Sequence, residues 1–173
     1  MRWINAIGFQ VGWWACIASV SRGLETQAIA FCVVMAVAHL ALSTAPGHEL
    51  KLAVAALLLG VLVDSTLQAL AVIRFHGQAI EPLSPFWLWA LWGLFALTLN
   101  ASLGFLQTMR PVVSMAAGLI FGPLTYLAGA RLGAAELQPT VSHTLSLGLA
   151  WMLSLPLMVW LARKYFSIPP GTP

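Results

Sequence analysis

The sequence predicts an all-α integral membrane protein, a compact bundle of six transmembrane helices that forms one domain over residues 1–173. Of these residues 60% are hydrophobic and only 8% are charged, whereas an ordinary soluble domain is about 25% charged. The mean hydropathy of +0.89 fits a protein that shows apolar side chains to lipid as well as to its core. No soluble fold could cover its surface with so few charges.

Six apolar stretches of membrane-spanning length follow one another along the chain. The predicted spans are 3–21, 26–44, 52–73, 85–106, 111–132 and 143–162. The segments between them are short and rich in Gly, Pro and charged residues, for example Pro46-Gly47-His48-Glu49. Short connections make neighbouring helices antiparallel and adjacent.

The basic residues predict the orientation of the bundle. Six spans place both termini on one side, together with Arg2, Lys51, Arg110, Arg163 and Lys164, while Arg22, Arg74 and Arg131 lie on the other side. Cytoplasmic loops carry the excess of Lys and Arg. The sequence therefore predicts that both termini are cytoplasmic.

Several function classes lack their usual sequence signals. The basic residues are scattered between apolar runs, which argues against nucleic acid as a partner. Cys16 and Cys32 have no spaced Cys or His partners for a metal site. Phosphate-loop, dinucleotide and nucleophile motifs are also absent from the sequence. We expect no cofactor and no metal, and an enzyme is the less favoured reading.

Small residues recur at helical spacing in the first, fourth and fifth predicted helices. Helices in lipid associate through close packing, so such stripes mark contact faces. The fifth helix has the longest stripe, which includes Gly118, Gly122, Gly129 and Gly133. We expect it to pack against another helix.

Asp64 is the one carboxylate placed deep within a predicted span, about 18 Å from the inner end of the third helix. A charge near the bilayer midplane is costly, so such a residue usually faces the interior and often serves function. Gly60 and Gln68 lie one turn to either side of it. A hydrogen-bond clasp and a ligand or proton site are equally compatible with this strip. In either case Asp64 should reach an amide or hydroxyl of another helix, with Asn100 and Gln10 as candidates.

A midplane binding site is the resulting hypothesis. Trp92 lies at the depth of Asp64, whereas Gln10 and Asn100 lie about 9 Å nearer the cytoplasm. Aromatic rings around one carboxylate would suit a small or lipidic ligand. The candidate binding residues are Asp64, Gln68, Asn100, Gln10, Trp92 and Tyr126.

A set of short motifs resembles a known family. They are Asn5 with Gly8-Phe9-Gln10-Val11-Gly12-Trp13, Asp64-Ser65, Trp89-Ala90-Leu91-Trp92, Thr98-Leu99-Asn100-Ala101-Ser102-Leu103, and Gly122-Pro123 followed by Tyr126, Gly129-Ala130 and Leu132-Gly133. The chain resembles, over nearly its whole length, small bacterial inner-membrane proteins catalogued as a domain of unknown function. The resemblance implies a multi-pass protein of the bacterial inner membrane and carries no activity with it.

Three functions remain open from the sequence. The first is binding or transport of a small or lipidic molecule at the midplane polar site. The second is a lipid-modifying enzyme or its membrane subunit, with Asp64 as general acid or base. The third is a structural or assembly protein in which polar residues only join helices. Membrane lipids are the expected partners, and association with a second copy is left open.

Overall fold

The computed structural model describes residues 2–166, and within them the chain folds into six α-helices and one short two-stranded sheet. The helices are α1 (Arg2–Val20), α2 (Glu25–Leu42), α3 (Pro46–Ala69), α4 (Phe86–Ala96), α5 (Pro111–Arg131) and α6 (Val141–Tyr165). Strands β1 (Arg74–Phe75) and β2 (Ala135–Glu136) pair antiparallel, with Arg74 opposite Glu136. The all-helical prediction is confirmed.

Four of the helices, α2, α3, α5 and α6, are long and apolar enough to cross a membrane. The remaining two differ from them. Helix α1, with 19 residues, is long enough but is not among the helices that are also sufficiently apolar. Helix α4 has only 11 residues. The four long apolar helices are compatible with a multi-pass membrane protein.

The predicted fourth span, 85–106, is wrong as a continuous helix. Helix α4 ends at Ala96 and is followed by turns and a 3₁₀ turn at Gly104–Gln107. Polar side chains take up the backbone carbonyls that the helix leaves free. Asn5 Nδ2 donates to the Leu97 carbonyl at 3.3 Å and Gln107 Nε2 to the Leu99 carbonyl at 2.7 Å. Non-helical backbone is tolerated at membrane depth where protein groups satisfy it in this way.

The third helix also begins earlier than its predicted span. The segment 46–49, which reads as a loop in the sequence, is the first turn of α3. Pro46 suits that position because its fixed φ is helical and it has no N–H to leave unpaired. Glu49 is consequently a buried helix residue, 2% exposed, and not a loop carboxylate.

The bundle has two distinct ends. Asn5 near the start of α1 contacts the Leu97 carbonyl, and Asn100 Nδ2 donates to the Phe166 carbonyl at 2.9 Å. We call this the terminal end. Strands β1 and β2 lie at the opposite end, which we call the strand end.

The glycine stripe of α5 packs against neighbouring helices, as predicted. A Cβ at Gly118 would overlap the backbone of Trp151 in α6, and one at Gly122 would overlap the Trp151 side chain. At Gly129 a Cβ would lie 3.4 Å from Ile17 Cδ1 of α1. The missing side chains therefore let α5 approach α6 along its length and α1 near the strand end.

Candidate functional site: a carboxylate clasp behind a lateral groove

Asp64 is fully buried and joins three helices. Its Oδ2 accepts a hydrogen bond from Trp92 Nε1 of α4 at 2.7 Å, and its Oδ1 accepts one from the Tyr126 hydroxyl of α5 at 2.5 Å. The prediction that Asp64 faces the interior and reaches a hydroxyl of another helix is confirmed. We call these three residues the Asp64 clasp.

The strip on α3 explains how Trp92 reaches the carboxylate. Gly60 lies one turn before Asp64, and a Cβ there would overlap the Trp92 ring. The glycine therefore provides the space in which the indole lies flat against α3. On its other side Trp92 stacks on Trp151 of α6, with ring centroids 4.7 Å apart and planes 17° from parallel.

Three of the predicted site residues lie away from the clasp. Gln68 Oε1 accepts from the Phe75 backbone N–H at 3.4 Å, so it supports strand β1. Asn100 bonds the Phe166 carbonyl and Gln107 at the terminal end. Gln10 is exposed on α1. Asn100 and Gln10 are therefore wrong as partners of Asp64, whose oxygens are bonded by Trp92 and Tyr126. The sequence placed Asn100 on a continuous helix, whereas the chain has left the helix four residues earlier.

A groove of about 520 Å³ lies between α1 and α5, with α4 as its floor. We call it the lateral groove, and its walls include Trp13, Ile17, Trp92, Phe121, Tyr126 and Trp151. At the strand end α1 and α5 approach each other at Ile17 and Gly129. Farther along, α1 packs on α2 and α4 while α5 packs on α6. The helices thus leave a gap at the flank of the bundle.

The groove is open on the side that would face lipid. Phe121 in its wall is 65% exposed and Leu124 is 54% exposed. Trp92 and Tyr126 contribute to the wall, whereas Asp64 does not and lies behind them. Anything in the groove would meet the indole and the phenol ring rather than the carboxylate.

Trp151 is the site residue that the candidate set omitted. Its ring stacks on Trp92, meets Tyr126 edge-on at 6.3 Å between centroids, and lines the groove. Its Nε1 is buried and has no hydrogen-bond partner among the described residues. Depth along the helix already places Trp151 near Asp64, but helix depth alone does not give the direction in which a ring points.

A second polar network at the terminal end was also not anticipated. His39 Nε2 and Glu49 Oε2 are 3.0 Å apart, and Asn5 Nδ2 lies 3.2 Å from His39 Nδ1. Asn5 Oδ1 accepts from the Ser102 hydroxyl at 2.6 Å. This chain of contacts ties α1, α2 and α3 to the unwound segment after α4.

At the strand end His76 links the connection between α3 and α4 to the connection between α5 and α6. Its Nδ1 lies 3.0 Å from the Gly133 carbonyl and its Nε2 lies 3.2 Å from Glu136 Oε1. Both neighbours are acceptors, so the doubly protonated ring satisfies both. The Gly133 carbonyl, and then Glu136, raise the pKa of His76 above its ordinary value.

The fold and the groove define a class, that of all-helical bundles whose long apolar helices suit a membrane and whose flank carries an apolar cleft. Within that class the chain belongs to the family described as protein of unknown function (DUF2878), whose model matches residues 2–157. The predicted resemblance to a domain of unknown function is confirmed. No curated protein and no solved structure matches the chain.

Proposed function

We propose that this protein crosses the bacterial inner membrane six times and binds a lipidic molecule in its lateral groove. The observation that carries the proposal is the groove itself. It is an apolar, aromatic-walled cleft of about 520 Å³ that opens on the flank of the bundle. Ligand sites typically measure about 300–1,000 Å³ and combine apolar walls with a few polar groups.

Two features support six crossings with cytoplasmic termini. Asn5 and Phe166 lie at the same end of the bundle, which requires an even number of crossings. That end also carries five of the eight Lys and Arg residues. The 11 residues of α4 rise only about 16 Å, so the unwound segment up to Gln107 would complete the fourth crossing. A green fluorescent protein fusion at the C-terminus should be bright and an alkaline phosphatase fusion inactive, and the opposite result would overturn this topology.

The position of the groove favours a ligand that arrives from the bilayer. Its exposed wall residues, Phe121 and Leu124, are apolar, and a lipid chain reaches them without crossing a polar interface. Burial of apolar area contributes little net energy when a chain moves from lipid to protein, so shape, aromatic contacts and hydrogen bonds provide selectivity. Tyr126 and Trp151 are two of the aromatic rings in the wall that such a chain would contact.

The clasp supports binding in preference to acid–base catalysis. Asp64 is 0% exposed and both of its oxygens already accept hydrogen bonds from protein groups. A general acid or base must come within hydrogen-bond reach of its substrate, and here Trp92 and Tyr126 intervene. Asp64 acts instead as a positioning residue that holds two wall side chains in place.

Photolabelling with a lipid tests this proposal. The purified protein in nanodiscs is irradiated with a phospholipid that carries a diazirine in its acyl chain, and the labelled peptides are identified. Labels should concentrate on the groove faces of α1 and α5. Ala117→Trp fills the groove and should reduce this labelling at least fivefold, because Ala117 lies in its wall.

Matched variants make the result specific. Ala116 is exposed on the same helix and does not line the groove, so Ala116→Trp should leave the labelling unchanged. Thr125→Trp places a ring in the groove from an exposed position and serves if Ala117→Trp fails to fold. Labelling spread evenly over all lipid-facing helices, or equal in the three variants, would contradict the proposal.

A further inference from the structure

A second cavity continues the lateral groove toward the terminal end of the bundle. It measures about 530 Å³ and is lined by α1 and by the unwound segment after α4, including Trp3, Thr98 and Ser102. The two cavities share Phe9, Gln10 and Leu103. Along α1 the combined trough runs from Trp3 to Ile17, about 21 Å by helical rise.

The two parts of the trough differ in chemistry. Rings and aliphatic side chains dominate the lateral groove, whereas the much smaller lining of the second cavity includes three polar residues, Gln10, Thr98 and Ser102. A molecule that fills both would be apolar at one end and hydrogen-bonding at the other. That is the pattern of a single-chain amphiphile.

Gln10 is the polar group at the junction of the two cavities. Gln10 is exposed on the flank of α1, and its amide makes no hydrogen bond to any residue between 3 and 166. It lies about 12 Å along α1 from Arg2, within the apolar part of the helix, where an unsatisfied amide is costly. A ligand oxygen or hydroxyl at the junction would satisfy it.

The wall opposite Gln10 is held in place by protein contacts. The Ser102 hydroxyl and backbone N–H both donate to Asn5 Oδ1, at 2.6 and 3.3 Å. Asn5 in turn bonds the Leu97 carbonyl and contacts His39. The unwound segment therefore presents Ser102 at a fixed position, and its oxygen keeps lone pairs that can accept from a ligand hydroxyl.

Charge sets the kind of head group. Among residues 3–166, no Lys, Arg, His, Asp or Glu side chain lines either cavity. A phosphate or carboxylate drawn into the second cavity would lose water without gaining a counter-ion from any of these residues, which is unfavourable. A hydroxyl or ester carbonyl would lose much less hydration free energy and would gain hydrogen bonds.

From these observations we infer that the ligand is a single-chain amphiphile with an uncharged, hydroxyl-bearing head. The head lies in the second cavity between Gln10 and Ser102, and the chain lies in the lateral groove against Trp151 and Ile17. This inference rests on the proposed function. It adds the class of ligand and its orientation, with the head toward the terminal end of the bundle.

Three diazirine probes with the same chain test the inference. One is a monoacylglycerol, one is the alkane without a head, and one is the lysophosphatidylglycerol. Of the three probes, the monoacylglycerol should reach half-maximal labelling of the wild-type protein at the lowest concentration. Gln10→Leu should raise that concentration about tenfold, since one hydrogen bond contributes roughly a factor of ten. It should leave alkane labelling unchanged.

Gln27→Leu is the matched control, because Gln27 is exposed on α2 and lines neither cavity. It should behave as wild type with all three probes. Equal monoacylglycerol labelling of the Gln10 and Gln27 variants, or tighter labelling by lysophosphatidylglycerol, would overturn this inference while the groove itself remained a lipid site. Failure of every probe to label the groove would instead overturn the proposed function.

Discussion

Disruption of the Asp64 clasp gives the most quantitative prediction. Asp64 accepts from an indole N–H that can only donate and from a hydroxyl that can also accept. In Asp64→Asn the new carbonyl can accept from Trp92 while the new NH₂ donates to the Tyr126 oxygen. Asp64→Leu keeps the size but leaves both partners without an acceptor.

The magnitudes follow from these bonds. Tyr126→Phe removes one donor and should cost about 1 kcal/mol, given a net value of about 0.5–1.5 kcal/mol per hydrogen bond. Asp64→Leu leaves two buried donors unsatisfied and should cost about 2–3 kcal/mol. Asp64→Asn should cost about 1 kcal/mol or less. Removing both groups in Asp64→Leu/Tyr126→Phe should cost about 1 kcal/mol less than the sum of the single changes.

Equilibrium unfolding in bicelles, for example by steric trapping, measures these free energies. Tyr165→Phe is the control, because Tyr165 is half-exposed at the end of α6 and donates no hydrogen bond to residues 2–166. It should be neutral. Strictly additive costs for Asp64 and Tyr126, or an Asp64→Leu protein as stable as wild type, would show that the clasp does not join α3 and α5.

Three further predictions test the packing. Cys16 Sγ and Cys32 Sγ are 3.2 Å apart, so copper phenanthroline should join α1 to α2 through an intramolecular disulfide, seen as the loss of two thiols toward maleimide after denaturation. Because the pKa of His76 is raised from 6.5, its stabilising contribution should be complete below about pH 6.5 and decline as pH rises through the higher folded-state pKa. The melting temperature of a His76→Gln protein should lack that part of the pH dependence. Gly118→Ala should cost about 1–3 kcal/mol, since its Cβ would fall on the backbone of α6, whereas Gly47→Ala has open space and should be near neutral. Denaturation in the same bicelles compares the two.

Much of the fold could be predicted from the sequence because hydrophobic length is a direct physical requirement for crossing a bilayer. The apolar runs located six helices, and the helical spacing of small residues placed the glycines of α5 on a contact face. The apolar runs failed where the chain is apolar but not helical. Residues 97–106 are apolar enough to extend α4. The chain can leave the helix there because the side chains of Asn5 and Gln107 donate to the carbonyls of Leu97 and Leu99. Neither side chain belongs to the apolar run, so the run does not reveal these contacts.

The site was predictable in part for a similar reason. The cost of a midplane carboxylate requires Asp64 to find partners inside the bundle, and depth along a helix brings Trp92 to the same level. The partner Tyr126 and the role of Trp151 depend on how helices rotate about their axes. Neighbouring helices fix that rotation through close approaches such as Gly60 on Trp92 and Gly122 on Trp151. The spacing of residues within one helix does not determine this rotation.

An experimental structure in native-lipid nanodiscs tests the central claim most directly. The proposed function predicts continuous non-protein density between α1 and α5, in contact with Trp151 and Ile17. The inferred amphiphile would in addition have its other end beside Gln10. Helices α1 and α5 packed directly against each other along that flank, with no room for a ligand, would contradict the proposed function.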